Sequence, residues 1–208
     1  MRPPTIGIVD YGVGNLASVW HALHALGYRC RVSRDPQTLD QADLLLLPGV
    51  GAFPVAMAAL HRHGLAGYLQ AQAREGRPIL GICLGMQLLT DASSEHRTTD
   101  GLGLIPGQVR PIEGGHWHIG WNNLEAVQND PLLGASQGHA VYFNHSYAVD
   151  TPARYQLCTA SVAGTSVTAA IRRGNVVGLQ FHPEKSQAAG HRLLRNIVEG
   201  FCPWSRSA

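Results

Sequence analysis

The chain has 208 residues, 45% hydrophobic and 14% charged, with a net charge of +2. That length and balance fit a globular α/β chain able to bury a sizeable core, and they exclude a disordered one. The small charge makes no case for nucleic acid or an anionic membrane, and no apolar run nears the roughly 18 residues of a membrane span.

Taken in order, Thr5 to Asp10 reads as a short apolar strand ending at an acid. Tyr11 to Leu16 is a glycine loop leading into a helix, with Asn15 as N-cap. Val19 or Trp20, Leu23 and Leu26 follow at helical spacing, and Gly27 supplies the C-terminal stop. Gly12 and Gly14 resemble part of a nucleotide fingerprint, but the third glycine is missing and no ribose-binding acid follows at the usual distance, so an ordinary turn is the stronger reading. Arg29 to Ser33 is a second strand and Asp43 to Leu47 a third. Its four consecutive leucines suit a parallel strand covered on both faces. Pro48 to Phe53 follows at a strand end, where open α/β sheets place ligand-binding loops; a plain Pro-Gly turn fits equally well. Residues 54–75 are rich in alanine and leucine, break at Gly64 and predict two helices. Pro78 to Ile82 is a buried strand, and Leu84 to Thr90 starts a helix. This β-α-β order predicts an open, mostly parallel sheet with helices on both faces.

Beyond Ala92 the pattern changes. Ser93 to Gly103 is polar and loop-like. Short alternating stretches at Gly107–Arg110, Ala140–Tyr147, Tyr155–Val162 and Val167–Ile171 predict antiparallel hairpins added to the core. Val176 to Phe181 is another strand, and Ala188 to Phe201 carries a helical apolar stripe of Leu193, Leu194, Ile197 and Val198. No repeat or linker interrupts the chain, so a single domain over 1–208 is expected.

Cys83 stands at the joint of strand and helix between Gly81 and Gly85, the G-x-nucleophile-x-G spacing of a nucleophile elbow. A sharp turn brings two backbones together, and a Cβ at either glycine would clash. The turn points the thiol towards the positive end of the following helix. The competing reading is a small cysteine in a core. The four cysteines (Cys30, Cys83, Cys158, Cys202) lie far apart with no C-x-x-C, so neither a disulfide framework nor a zinc ribbon is suggested. Free thiols, with no signal-peptide stretch at the start, point to the cytoplasm.

A nucleophilic cysteine needs a base and a group to orient it. With eleven histidines in the chain, a histidine alone is no evidence. Gln180-Phe181-His182-Pro183-Glu184 differs because it follows directly on an apolar strand. Positions i and i+2 of an extended chain project to one side, so His182 and Glu184 are expected to face the thiol together, with Pro183 stiffening the geometry. His182 would move the proton and Glu184 would hold its tautomer. His61-x-His63 and His116-x-His118 have metal-like spacing but no third ligand, so no metal is expected. His21 and His24 read as surface residues. His145, within Tyr142–Tyr147, is a candidate substrate wall.

Gly-Ile-Cys-Leu-Gly-Met-Gln (81–87) with Phe-His-Pro-Glu-Lys-Ser (181–186) resembles the class I glutamine amidotransferases. Asp-Tyr-Gly-Val-Gly-Asn-Leu (10–16), Pro-Gly-Val-Gly-Ala-Phe (48–53), Gly-Trp-Asn (120–122) and Tyr-Phe-Asn-His-Ser-Tyr (142–147) are similar to one branch, the glutaminase subunits of imidazole glycerol phosphate synthase. The resemblance spans about residues 5–200 and implies the flavodoxin-like fold of that family. It implies a Cys83–His182–Glu184 triad that hydrolyses glutamine through a glutamyl thioester. The oxyanion would be held by backbone N–H groups of Leu84 and of Val50 or Gly51, and glutamine would lie against Gly49, Gln87, His145, Ser146 and Tyr147. It implies no cofactor, and a separate (β/α)8-barrel cyclase partner in a heterodimer. The cyclase would use the ammonia to turn PRFAR into imidazole glycerol phosphate and AICAR, in histidine biosynthesis. On the same basis Cys83 idles until that partner completes the oxyanion hole. Two positions depart from the pattern: Trp117-His118-Ile119 stands where Pro-His-Met is common, and Asn144 where a small apolar residue is usual.

Overall fold

The computed structural model describes residues 2–133 and 138–203. The first half alternates strands and helices: β1 (Thr5–Val9), α1 (Leu16–Ala25), β2 (Arg29–Ser33), α2 (Pro36–Leu39), β3 (Leu44–Leu47), α3 (Phe53–Arg62), α4 (Leu65–Arg74), β4 (Ile79–Ile82) and α5 (Leu84–Leu88). The second half adds β5 (Ala92–Ser93), β6 (Thr99–Asp100), β7 (Gln108–Pro111), β8 (His118–Asn123), β9 (Glu125–Ala126), β10 (Ala140–His145) and β11 (Tyr147–Asp150). It closes with β12 (Gln156–Val162), β13 (Thr165–Arg173), β14 (Val176–Leu179) and α6 (Gln187–Phe201).

Eight strands form the central sheet in the order β2-β1-β3-β4-β14-β13-β12-β9. The first five run parallel, and β13, β12 and β9 continue the sheet antiparallel. The leucine run of β3 explains how the sheet is held. Leu44 and Leu46 point into one core with Leu23, Leu194 and Ile197, while Leu45 and Leu47 point into the other with Phe53, Leu60 and Leu69. All four leucines are fully buried, each worth about 1.5–3 kcal/mol of burial. Helices therefore cover both faces of an open, mostly parallel sheet, the expected class. Among the described residues, no helix is long and apolar enough to cross a membrane.

Local chemistry accounts for the boundaries. The Asn15 side chain accepts from the Ser18 amide at 3.3 Å and starts α1. Gly64, at φ 69°, separates α3 from α4. Helix α2 was not anticipated from the pattern. Asp35 caps it by accepting from Gln37 and Thr38, with Pro36 in its first turn.

Two expectations for the second half need correction, and one strand was missed. Residues 93–103 are not all loop, because β6 and part of β5 lie there; two-residue strands are too short to show alternation. The stretch Ala140–Tyr147 breaks at Ser146 into β10, which pairs with β8, and β11, which pairs with β7. Strand β8 escaped notice because its pattern is inverted: His118 points inward while Ile119 and Trp121 point out. The β12–β13 hairpin is as expected, closed by Ala163 and Gly164, both at positive φ.

Candidate active site

The site begins where β4 hands over to α5. Cys83 takes φ 55° and ψ −113°, a conformation that non-glycine residues rarely hold, and such strain costs about 1–3 kcal/mol. The flanking glycines make the turn possible. A Cβ on Gly81 would lie 2.6 Å from the Gly85 carbonyl oxygen, and one on Gly85 would lie 1.8 Å from that of Leu47. The Cys83 amide donates to the Leu179 carbonyl at 2.7 Å. Because β4 and β14 are neighbours, with Ile82 opposite Leu179, the elbow and the segment after β14 meet at one end of the sheet.

That segment carries His182 and Glu184. They do not face the thiol side by side as an extended chain would have them. Pro183–Lys185 forms a 3-10 turn, which folds Glu184 back so that His182 Nδ1 donates to its Oε1 at 2.8 Å. Glu184 thus stands behind the imidazole. Ser186 pins the turn: its hydroxyl donates to the His182 carbonyl at 2.6 Å and accepts from the Tyr142 amide at 2.9 Å. The His182 amide in turn donates to the Tyr142 carbonyl at 2.8 Å, so β10 is stapled to the turn.

The electrostatics favour a charged imidazole. Burial by itself disfavours the imidazolium, but hydrogen bonds and charge from Cys83 and Glu184 outweigh it and push His182 up to about 9. The Glu184 side chain is 1% exposed, and its Oε2 has no hydrogen-bond partner among the described residues. An under-solvated carboxylate of this kind gains more from a neighbouring positive charge.

Cys83 and His182 open into a cavity of about 250 Å³. Leu84, Val50, Gly51, Gln87, His145, Ser146 and Tyr147 line it as well, so all the residues singled out from the sequence meet there except Gly49 and Glu184. Gly49 lies beneath: a Cβ there would be 2.7 Å from the Tyr11 hydroxyl and 2.9 Å from the Gly85 amide nitrogen. Tyr11 donates to the Pro48 carbonyl at 2.8 Å and anchors the start of that loop. Among the described residues no carbonyl accepts from the amides of Val50, Gly51 or Leu84. The Gln87 side chain faces the cavity but spends both N–H groups on protein, on the Tyr147 carbonyl and on Gln180 Oε1, each at 3.0 Å. Only its carbonyl oxygen is left for a ligand.

Four further residues line the cavity: Glu95, Trp117, Asn144 and Lys185. Glu95 accepts from the Phe53 amide at 2.7 Å at the start of α3. No spacing signal marked it, since it lies in the polar stretch after β5. The two departures from the family pattern meet each other: Trp117 Nε1 donates to Asn144 Oδ1 at 3.0 Å across the ends of β8 and β10. His118, set aside as half of a metal-like pair, is buried against His145, with ring nitrogens 2.9 Å apart. Burial pushes both down to about 4. Among the described residues, no cluster of three or more His, Cys, Asp or Glu could hold a metal.

A carboxylate-oriented imidazole beside a strained cysteine, in a cavity with unpaired amides, is built for acyl transfer. Comparisons with known proteins give the family. A sequence model of the class-I glutamine amidotransferases matches residues 7–200. The imidazole glycerol phosphate synthase subunit HisH of Streptococcus sanguinis is 46% identical over 92% of this chain and 94% of its own. The subunit of that name from Geobacillus is also 46% identical, over 94% and 98%. A structure titled PurLQS from Thermotoga maritima superposes with a TM-score of 0.77 at 22% identity, covering 96% of this chain and 99% of that one. A further glutamine amidotransferase crystal structure gives 0.75 at 19% identity, over 94% and 98%; both are likenesses of fold. The chain belongs to the class-I glutamine amidotransferase family, alongside the HisH subunits of imidazole glycerol phosphate synthase.

Proposed function

We propose that the chain is the glutaminase subunit of imidazole glycerol phosphate synthase. It hydrolyses glutamine to glutamate and ammonia and delivers the ammonia to a separate (β/α)8-barrel cyclase. The cyclase turns PRFAR into imidazole glycerol phosphate and AICAR in histidine biosynthesis. The observation that carries the chemistry is the Glu184–His182 hydrogen bond of 2.8 Å beside Cys83 on its strained elbow. The relatives named HisH support the choice of pathway.

Cys83, as a thiolate paired with the His182 imidazolium, attacks the side-chain amide carbon of glutamine. The negative charge moves to the amide oxygen, where the unpaired amides of Leu84 and of the Val50–Gly51 loop can receive it; one such donor is worth about 3–4 kcal/mol. His182 gives its proton to the nitrogen, ammonia leaves, and a glutamyl thioester remains. His182, now neutral, takes a proton from water as the water attacks the thioester. Glutamate departs and the ion pair is restored. Glu184 keeps Nδ1 protonated throughout. The Glu95 carboxylate offers a counter-charge for the α-ammonium of the substrate, and the Gln87 carbonyl offers an acceptor.

The cavity opens beside an apolar face. Trp117, Ile119 and Trp121 are 66%, 61% and 50% exposed. An exposed apolar patch beside a catalytic cavity suits a partner protein. The test is Cys83→Ala in complex with the cyclase. Glutamine-dependent cyclase turnover should vanish while ammonia-dependent turnover persists; a variant complex that still uses glutamine would sink the nucleophile assignment. Pure chain should release little ammonia until cyclase and its nucleotide are added.

A further inference from the structure

We propose that Gln180 is a positioning residue for this reaction, its side-chain amide holding the Cys83 sulfur as a thiolate; this rests on the reading of Cys83 as nucleophile. Gln180 is 0% exposed and sits where β14 meets the His182 turn. Its Nε2 lies 3.9 Å from Cys83 Sγ, the long end of an N–H···S contact.

Donor and acceptor parity fixes which end of the amide faces the sulfur. The Tyr147 carbonyl can only accept, so His145 Nδ1 at 2.8 Å and Gln87 Nε2 at 3.0 Å both donate to it. The other N–H of Gln87 then goes to Gln180 Oε1 at 3.0 Å. That leaves the Gln180 NH₂ group towards Cys83. The far end of the chain is anchored too. With its Nδ1 donating, a neutral His145 accepts at Nε2 from His118 Nδ1 at 2.9 Å, and His118 Nε2 accepts from Asn122 at 3.0 Å. Every contact then has one donor and one acceptor, with both rings neutral.

Cys83 Sγ also lies 4.0 Å from the Asn144 carbonyl. A thiol can donate there. A thiolate cannot, and finds a donor in Gln180 instead. The two contacts therefore respond oppositely to loss of the proton, and Gln180 favours the reactive form. Among the described residues, no other protein group accepts from its Nε2.

The test uses the complex with the cyclase and two variants. Gln180→Met removes the N–H donor and keeps the side chain's length without adding charge, so it carries the test; Gln180→Glu puts a carboxylate in the donor's place, and its charge should raise the midpoint further. The readouts are the pH midpoint of Cys83 alkylation by iodoacetamide, the separate kcat and KM for glutamine, and ammonia-dependent turnover. Tyr11, His145, His182 and Glu184, the other titratable side chains acting on Cys83 or the triad histidine, are unchanged, and Gln180→Met adds no titratable group. A lost hydrogen bond to a charged group predicts a midpoint about one pH unit higher and a kcat about tenfold lower. KM should stay within about threefold and ammonia-dependent turnover should be unchanged. An unmoved midpoint, or a loss confined to KM, overturns the proposal. Should both variants fail to fold, glutamine side-chain ¹⁵N signals of the unaltered protein decide: one amide must titrate with Cys83 and stop doing so in Cys83→Ala, and its absence overturns the proposal. An unaltered protein that hydrolyses glutamine after full alkylation of Cys83 would instead sink the nucleophile reading itself.

Discussion

Replacing Gly85 by alanine tests how the elbow is built. The added Cβ would lie 1.8 Å from the Leu47 carbonyl oxygen and 2.9 Å from its carbon, whereas real Cβ contacts essentially never fall below 3.0 Å. About 1.2 Å must therefore open between α5 and β3, and packed interiors do not yield that freely. A Cβ is fixed by its own backbone and meets backbone atoms here, so no rotamer change relieves the clash. Overpacking costs about 1–3 kcal/mol, and a Cβ driven against backbone belongs at the upper end. For a chain of this size about 3 kcal/mol lowers the melting temperature by about 6–12 °C. The Cys83 sulfur and the Leu84 amide move with α5, and a displacement near 1 Å costs about a hundredfold in turnover. The assay is calorimetry of the chain, with glutamine- and ammonia-dependent turnover of the complex. Gly67→Ala is the control. It lies in α4 with nothing within 4 Å of its added Cβ, so it should stabilise by about 0.5–1 kcal/mol. A Gly85→Ala protein melting within about 2 °C of the parent, with glutamine turnover within about threefold, would refute the close approach of α5 to β3.

Two other predictions concern the titrating groups. Glu184→Gln keeps an acceptor for His182 Nδ1 but removes the charge that helps hold His182 near 9. Glutamine turnover should fall about a hundredfold or more while the ammonia reaction survives; a loss under about threefold would mean that Glu184 only packs. Stability should follow pH with two opposed limbs. His182 is raised from 6.5 to about 9, so its contribution is complete below pH 6.5 and is lost as pH rises through 9. His118 and His145 are lowered from 6.5 to about 4, so the unfolded chain binds their protons more readily and stability falls as pH drops from 6.5 towards 4. Melting temperatures at pH 5, 6.5 and 9.5 for the parent, His182→Asn and His145→Asn check this. The alkaline limb should flatten in His182→Asn, and the acid limb should flatten in His145→Asn.

Much of the first half was legible because its rules are local. Four leucines in a row need cover on both faces, Gly64 ends a helix, and Gly81 and Gly85 are the residues a tight elbow permits. The second half was harder to read. Strand β8 turns His118 inward and Trp121 outward, against the usual polarity, because His118 finds hydrogen bonds inside and the apolar rings stay on the surface. The relation of His182 to Glu184 was anticipated as a pair and misjudged in shape. A 3-10 turn, held by the Ser186 hydroxyl, replaced the extended geometry, and one of that hydroxyl's two partners, the Tyr142 amide, lies on β10, over forty positions earlier.

Chain pattern alone therefore named the elbow, the His-Pro-Glu segment and the parallel sheet, since backbone sterics and short-range periodicity act within a few residues. Only tertiary structure decided which groups surround the sulfur. Gln180 reaches Cys83 across 97 positions, and Gln87 reaches the Tyr147 carbonyl across 60. A buried amide or imidazole has its orientation set by whatever donors and acceptors the fold packs against it, and no spacing in the chain encodes that.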